Sequence, residues 1–478
     1  MKFVGPWEDE YLECFGKPVI SKRLSGGVFP GQRESYLRSV EPIEDTPELT
    51  LMSYQSVSFN LSNLEQFLQR KSNKVMIILD EAHKIKNIDG GIWASSVLSL
   101  AKLSGVKSRV VLTGTPVPNG YEDIYNLYEF IWPNKDIINF NPFQLREMST
   151  KQFDPRVEQL IESIAPFFIR IKKKDLGLPP VNNTDPIIVK MGSTQREIYD
   201  FIENKYLGFF EETQDERTSI SKNLLKARFI RLMQAATNPN LLRKPLENYL
   251  KEEGIENELF IDDSEIIDKI FRYKELEAVP KKFETVKNLV TSLLKKNEKV
   301  IIWATFIQNI IELQQYLTQF GITSELLYGD VPTDTDEIPE HVFTREKIIR
   351  KFHDPNSSFK VIIANPFAVA ESISLHKACH NAIYLERTFN AANFIQSKDR
   401  IHRVGLAPNV ITNYYYIISE NSIDETIHRR LIEKEARMLE LIESQEIPLI
   451  SENMNYDIDL IDDLKAIIRD YVRRTAKV

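Results

Sequence analysis

Cysteine is nearly absent from this chain. Two occur among 478 residues, Cys14 and Cys379, which leaves no disulfide framework and suits a reducing compartment. Long apolar runs are missing as well: stretches such as Val75–Leu79 fall far short of the roughly 18–20 residues that span a bilayer. The amino terminus, MKFVGPWEDEYLE, turns acidic before an apolar stretch can form, so no signal peptide is predicted. No short repeat period and no low-complexity segment appears. Together these absences argue against a membrane, secreted or zinc-ribbon protein. They predict a cytoplasmic one (nucleoid-associated in a bacterium) with no membrane partner. What remains is ordinary globular material: 42% apolar and 27% charged residues, enough for two or three domains with real cores.

Net charge is −8, but the acid is unevenly spread. Glu252–Asp268 and Met438–Asp463 each carry eight Asp or Glu and no Lys or Arg, so the rest of the chain stands at +8. Affinity for phosphate backbones follows local clusters rather than whole-chain charge, and nucleic acid stays open as a partner. The two acidic stretches read first as solvated helix faces or loops.

Short β-rich runs alternate with longer amphipathic stretches, the pattern of a parallel α/β sheet. Strands are predicted at 49–54, 74–80 and 108–114, then at 299–305, 360–365, 381–386 and 411–419. The first three are near-continuously apolar, as expected for strands buried on both faces. Residues from about 135 to 275 hold no comparable run and read as helical. In SKNLLKARFIRLMQAAT (221–237), for example, Leu224, Leu225, Phe229, Leu232 and Met233 fall at helical spacing. A helical, acidic tail follows. The fold class expected is α/β, with two parallel-sheet lobes joined by a helical region.

Three stretches carry chemistry. In LDEAHKIKN (79–87) a buried strand ends in Asp80 and Glu81, at the sheet edge where such folds bind ligands. Asp80 can hold Mg²⁺, usually through water, while Glu81 positions and deprotonates a water for phosphoryl transfer. A second strand ends in LTGTPVPN (112–119), where Thr113 and Gly114 offer a hydroxyl and a closely approachable backbone. Alone this is an ordinary Gly-Pro turn. In NAANFIQSKDRIHRVG (390–405), Asn390 is a plausible N-cap for a helix running to Gly405. That helix would set Gln396, Arg400 and Arg403 on one face, and two such arginines suit a polyphosphate.

With these motifs in hand the chain resembles a Swi/Snf-type ATPase, a double-stranded-DNA translocase of helicase superfamily two. LDEAHKIKN is similar to the family's DEAH motif, and residues 112–133 to its threonine motif with the helix that follows. IAPFFIRIKKKDLGLPP (164–180) and MGSTQREIYD (191–200) resemble the exit from lobe one. MQAATNPNLL (233–242) resembles the bridge, and KVIIWATFIQNIIELQQYL (299–317) the first strand and helix of lobe two. QSKDRIHRVG resembles the arginine-finger motif. The resemblance implies two RecA-like lobes. Residues 1–134 would form a partial ATP-binding lobe, 135–275 a helical insertion and bridge, 276–435 the C-terminal helicase lobe, and 436–478 an acidic helical tail. It implies ATP and Mg²⁺ as cofactors and double-stranded DNA as partner. Asp80 and Glu81 would act from lobe one, and Arg400 and Arg403 from lobe two. Thr113, Gly114, Gln396 and His83 would serve the nucleotide, with His83 and Thr113 coupling it to the track. Lys172, Lys173 and Thr305 are candidate nucleic-acid contacts, although the basic run at 170–174 reads equally as a solvated turn.

The chain departs from the family at three places. No G-x-x-x-x-G-K-[ST] loop occurs. GGVFPGQRES (26–35) spaces Gly26 and Gly31 correctly but has Gln32 and Arg33 where Lys and Ser/Thr are required. The first lobe is therefore expected to be incomplete at its amino end, with the P-loop supplied by an upstream segment or a protein partner. Ser372, Ile373, Ser374 and Leu375 replace the glycine-rich G-L-N-L of lobe two, and Leu406 replaces a glutamine. These departures keep a second reading open: a DNA- or protein-binding module that retains the two-lobe fold without hydrolysis. A strand-separating helicase fits less well, because the lobe-exit and bridge segments resemble the translocase branch.

Overall fold

A computed structural model describes residues 6–24, 28–39, 48–70, 73–88, 90–113, 121–149, 154–169, 171, 173–212, 219–251, 261, 263–332, 342–369, 373–444 and 460–475. The chain divides into two compact units. Unit one draws on Met1–Asp175, Thr333–Val342 and Met438–Asn455. Unit two draws on Leu176–Pro332, Phe343–Arg437 and Tyr456–Val478.

Among the described residues of unit one, four strands form two separate parallel pairs. β1 (Ile20–Arg23) lies on β2 (Glu48–Leu51), and β3 (Val75–Leu79) on β4 (Val106–Val111). Three of these fall where apolar runs predict them; β1, ISKR, has no such run. One face of β3–β4 is well covered: Leu79 and Val111 pack with Ile85, Val97, Leu127 and Phe130, and Val75 and Val106 with Leu68 and Leu100. The other face is open, with Met76 57% exposed, Val110 36% and Leu112 41%. The expectation of burial on both faces therefore fails here. Met76 and Val110 point away from both apolar clusters of unit one, so their side chains meet solvent.

Unit two is built on a seven-stranded parallel sheet. Its strands are β5 (Val181–Asn183), β6 (Ile187–Val189), β7 (Val300–Trp303), β8 (Ser324–Leu327), β9 (Val361–Ala364), β10 (Asn381–Tyr384) and β11 (Thr412–Ser419). They run in the order β5-β11-β10-β7-β9-β8, with β6 also on β11. Every residue of β7, β9 and β10 is buried, because one apolar cluster packs each face. Helices Ser193–Glu212 and Ser219–Thr237 bear out the helical reading of the middle region. β5 and β6 correct it, since both pair with β11 some 230 residues away. At three residues each, beside Pro180 and Pro186, they are too short to show a period and sit where proline is tolerated.

The acidic stretches are not wholly solvated faces. Asp263 caps helix Ser264–Phe271, accepting from the amides of Glu265 (2.8 Å) and Ile266 (3.1 Å). Asp463 is fully buried on helix Leu460–Thr475 and accepts from Arg430 Nε (3.0 Å) and Lys434 Nζ (2.9 Å).

Candidate active site

In unit one the ladder between β3 and β4 continues past both strands. Leu112 N donates to Leu79 O (2.8 Å) and Ala82 N to Leu112 O (2.9 Å), which brings Thr113 beside Asp80–His83. Asp80 is exposed at the strand end, and its Oδ1 accepts from Glu81 N at 3.0 Å. Glu81 then takes φ 49°, ψ 49°, a left-handed conformation unusual outside glycine. That reversal starts the short turn Ala82–Ile85 and puts Glu81 Oε2 3.2 Å from His83 Nδ1. Thr113 Oγ1 lies 3.4 Å from the same nitrogen. A carboxylate can only accept, so Nδ1 carries the proton in this contact.

Two residues that the motifs do not name hold this turn. The Tyr54 hydroxyl donates to Asp80 O at 2.8 Å; burial, then the Asp80 and Glu81 charges, push its pKa well up, so it stays a donor. Buried Asn126 donates to Ile85 O (2.8 Å) and Asn87 O (3.0 Å). Gly114 lies outside the described residues.

In unit two, Asn390 is the N-cap foreseen, its Oδ1 accepting from Asn393 N at 3.0 Å. The helix it starts is shorter than expected. It spans Ala391–Lys398, so Gln396 is helical while Arg400 and Arg403 follow the helix on a turn, and the shared helix face is lost. Bonds spaced three residues apart, Arg400 N to Ser397 O (3.4 Å) and Ile401 N to Lys398 O (3.3 Å), end the helix as Ile401 enters the core. Arg400 is then fastened to the segment that replaces the glycine-rich motif. Its carbonyl accepts from Leu375 N (2.9 Å), and its guanidinium donates to Ile373 O (3.2 Å) and Gln396 O (3.1 Å). Gly405, at φ +99°, closes the turn, and a Cβ there would stand 3.2 Å from His376 Nε2.

Thr305 follows β7. Its amide donates to Glu386 Oε1 (3.1 Å), and its carbonyl accepts from Asn365 Nδ2 (2.7 Å). Position 372 and Lys172 lie outside the described residues, and Lys173 opens a short 3₁₀ turn, Lys173–Leu176. His376, Cys379 and His380 stand close in sequence: His376 Nδ1 contacts Ser374 Oγ (2.9 Å), Cys379 Sγ lies 3.4 Å from the carbonyls of Lys299 and Asn381, and His380 Nδ1 is buried with no hydrogen-bond partner among the described residues. Burial pushes the Cys379 thiol up to about 12. Among the described residues no group of three His, Cys, Asp or Glu is arranged to hold a metal.

No motif marks Glu386. Fully buried at the end of β10, its carboxylate accepts from four donors: the amides of Thr305 and Phe306, Thr237 Oγ1 and Asn309 Nδ2, at 2.7–3.1 Å. The signal was present, because YLE ends an apolar strand with an acid just as ILDE does.

The SNF2-related domain matches residues 4–241, and the helicase conserved C-terminal domain matches residues 281–405. The chain belongs to the Swi/Snf family. Similar curated proteins include the mouse (Mus musculus) chromodomain-helicase-DNA-binding protein 6, 25% identical over 73% of this chain. Two from Schizosaccharomyces pombe are the chromatin remodeling factor mit1, 24% identical over 86%, and the chromatin structure-remodeling complex subunit snf21, 22% identical over 74%. The chain spans only 12%, 26% and 28% of those proteins respectively. Among solved structures, the C-terminal part of the Fun30 ATPase domain aligns with TM-score 0.40 and 19% identity, covering 63% of this chain and 99% of its own. No helix among the described residues is long and apolar enough to cross a membrane.

Proposed function

We propose that this Swi/Snf-family chain is the motor portion of an ATP-dependent double-stranded-DNA translocase. The observation that carries the reading is the convergence of Asp80, Glu81, His83 and Thr113 at the ends of two parallel strands. The donor set fits Mg²⁺, a hard cation that takes one or two carboxylates and fills its other positions with water or phosphate oxygens. Asp80 and Glu81 would hold it, and it would neutralise charge on the transferred phosphoryl group. Glu81 would orient and deprotonate the attacking water. His83, bonded to Glu81 and within reach of Thr113, would tie that carboxylate to the second strand. Arg403 would meet charge developing on the γ-phosphoryl, with Arg400 beside it. Gly114 and Gln396 would border the nucleotide, and Lys172, Lys173 and Thr305 would contact the DNA backbone. No Walker lysine occurs in the sequence, so the β- and γ-phosphates need amides and a cation from an upstream segment or a partner.

One observation favours the second reading, a non-hydrolysing module of the same fold. The Arg400 guanidinium is directed at two carbonyls, one of them in the segment replacing the glycine-rich motif. Turnover separates the readings. In a P-loop-complete chain with duplex DNA, Arg403→Ala should cut kcat about 10³-fold or more and leave duplex affinity unchanged. Lysine should rescue little, because a point charge does not reproduce the planar fork. Unchanged turnover in Arg403→Ala removes this residue from catalysis. Absence of duplex-stimulated hydrolysis in the parent supports the non-hydrolysing module.

A further inference from the structure

Beyond the C-terminal end of β10 lies a small cavity of about 20 Å³, room for one water-sized oxygen. Arg387 and Thr305 both line it, and each holds a polar atom, Nη1 and Oγ1, that is buried with no hydrogen-bond partner. Arg387 is only 8% exposed. Its guanidinium lies 4.6 Å from the ring centroid of Tyr416 and 5.5 Å from that of Phe394. Among the described residues no ion pair joins it to a carboxylate. Burial lowers its pKa to about 10, which leaves it a cation at neutral pH. Aromatic faces alone are weak compensation for a buried charge.

Helix Ala391–Lys398 begins at the same place: its cap Asn390 and its first-turn residue Asn393 line the cavity. The positive end of a helix favours an anion there. Glu386 also borders the space, but its carboxylate is already surrounded by four donors. At the rim Phe367 stands 51% exposed, a ring on which a sugar or base could rest.

We propose that this cavity receives one oxygen of a phosphate group, held by Arg387 Nη1 and Thr305 Oγ1 at the start of helix Ala391–Lys398. The phosphate belongs either to a nucleic-acid backbone or to a free phosphate or nucleotide. The site lies within unit two and is independent of hydrolysis; it rests on the DNA reading only for the first of those sources.

Two titrations test it. The first follows unfolding of unit two through emission from buried Trp303, with inorganic phosphate compared against chloride at matched ionic strength. Phosphate should raise the midpoint of the parent chain, and Arg387→Met and Thr305→Val should each weaken its apparent affinity about tenfold or more. No phosphate-specific rise in the parent, or an equal rise in both variants, means that water fills the cavity and overturns the proposal. Should Arg387→Met fail to fold, Thr305→Val decides alone, since it exchanges a hydroxyl for a methyl group of similar size. The second titration measures anisotropy of a short labelled duplex against salt. A backbone source predicts that Arg387→Met lowers the slope of log affinity on log salt by about 0.9. An unchanged slope with the phosphate effect lost assigns the site to free phosphate or nucleotide. A parent that binds no duplex defeats the DNA reading, while the phosphate titration still decides this one.

Discussion

β3 in unit one and β7 in unit two are written in nearly the same residues, VMIIL and VIIW, and both lie in parallel sheets. β7 has paired strands on both sides and apolar clusters on both faces, and every residue of it is buried. β3 pairs only with β4 among the described residues and leaves Met76 more than half exposed. The chemistry follows the same division. The acids of unit one sit at an open strand end, where the Asp80 carboxylate accepts from the next residue's amide and that of Glu81 meets His83 two residues on. The acid of unit two, Glu386, is fixed by groups as far off in sequence as Thr237. Strand composition thus reports the wish to be buried, and the elements stacked on a strand decide whether it is.

The largest test of that difference compares two glutamates. Glu386→Gln puts an amide donor among four donors and should destabilise unit two by about 3–5 kcal/mol. Glu81→Gln should change stability by no more than about 0.5 kcal/mol. Denaturant midpoints read both, and equal costs would mean that the Glu81 turn is buried in solution.

The next compares the two sheets directly. Ile302→Ala, at a fully buried position of β7, should cost about 2–5 kcal/mol. Met76→Ala on the open face of β3 should cost less than about 1 kcal/mol. A large cost at Met76 would show that something covers this face in solution.

The smallest concerns pH. Burial, then the neighbouring Arg387 guanidinium, hold the His428 imidazole down at about 4. A folded pKa below the unfolded value means that the unfolded chain binds the proton first. Stability from this group is therefore complete above about pH 6.5 and falls as pH drops toward about 4. For a side chain only partly buried, the loss should be about 1–2 kcal/mol after solvent screening. His428→Asn should flatten that part of the profile; an unchanged slope would assign the acid sensitivity to carboxylates alone.

Much of this architecture could be read from the residues. Seven apolar runs mark seven strands, and Asn390 announces a helix start through a side chain that caps its own backbone. Asp80 and Glu81 are visible because a strand of branched apolar residues stops on them. Other features depend on distant partners and leave no local trace. Nothing in QSKDRIHRVG says that the helix stops at Lys398, because the bond that captures the Arg400 carbonyl comes from Leu375. Likewise β5 is three residues, VNN, whose strand character comes from lying against β11. Tyr54 is seen to support Asp80 only once the fold sets them together.

The two cysteines differ in a way that makes the chain its own chemical clock. Cys14 is exposed, whereas Cys379 is sealed beneath β7 and β10 with its thiol pushed up to about 12. A thiolate attacks the sulfur of a disulfide-exchange reagent, so Cys14 should be labelled at once in the native protein and Cys379 only when unit two opens around it. The lag between the first and second equivalents of label would then time the breathing of one sheet, with no probe introduced and no residue replaced.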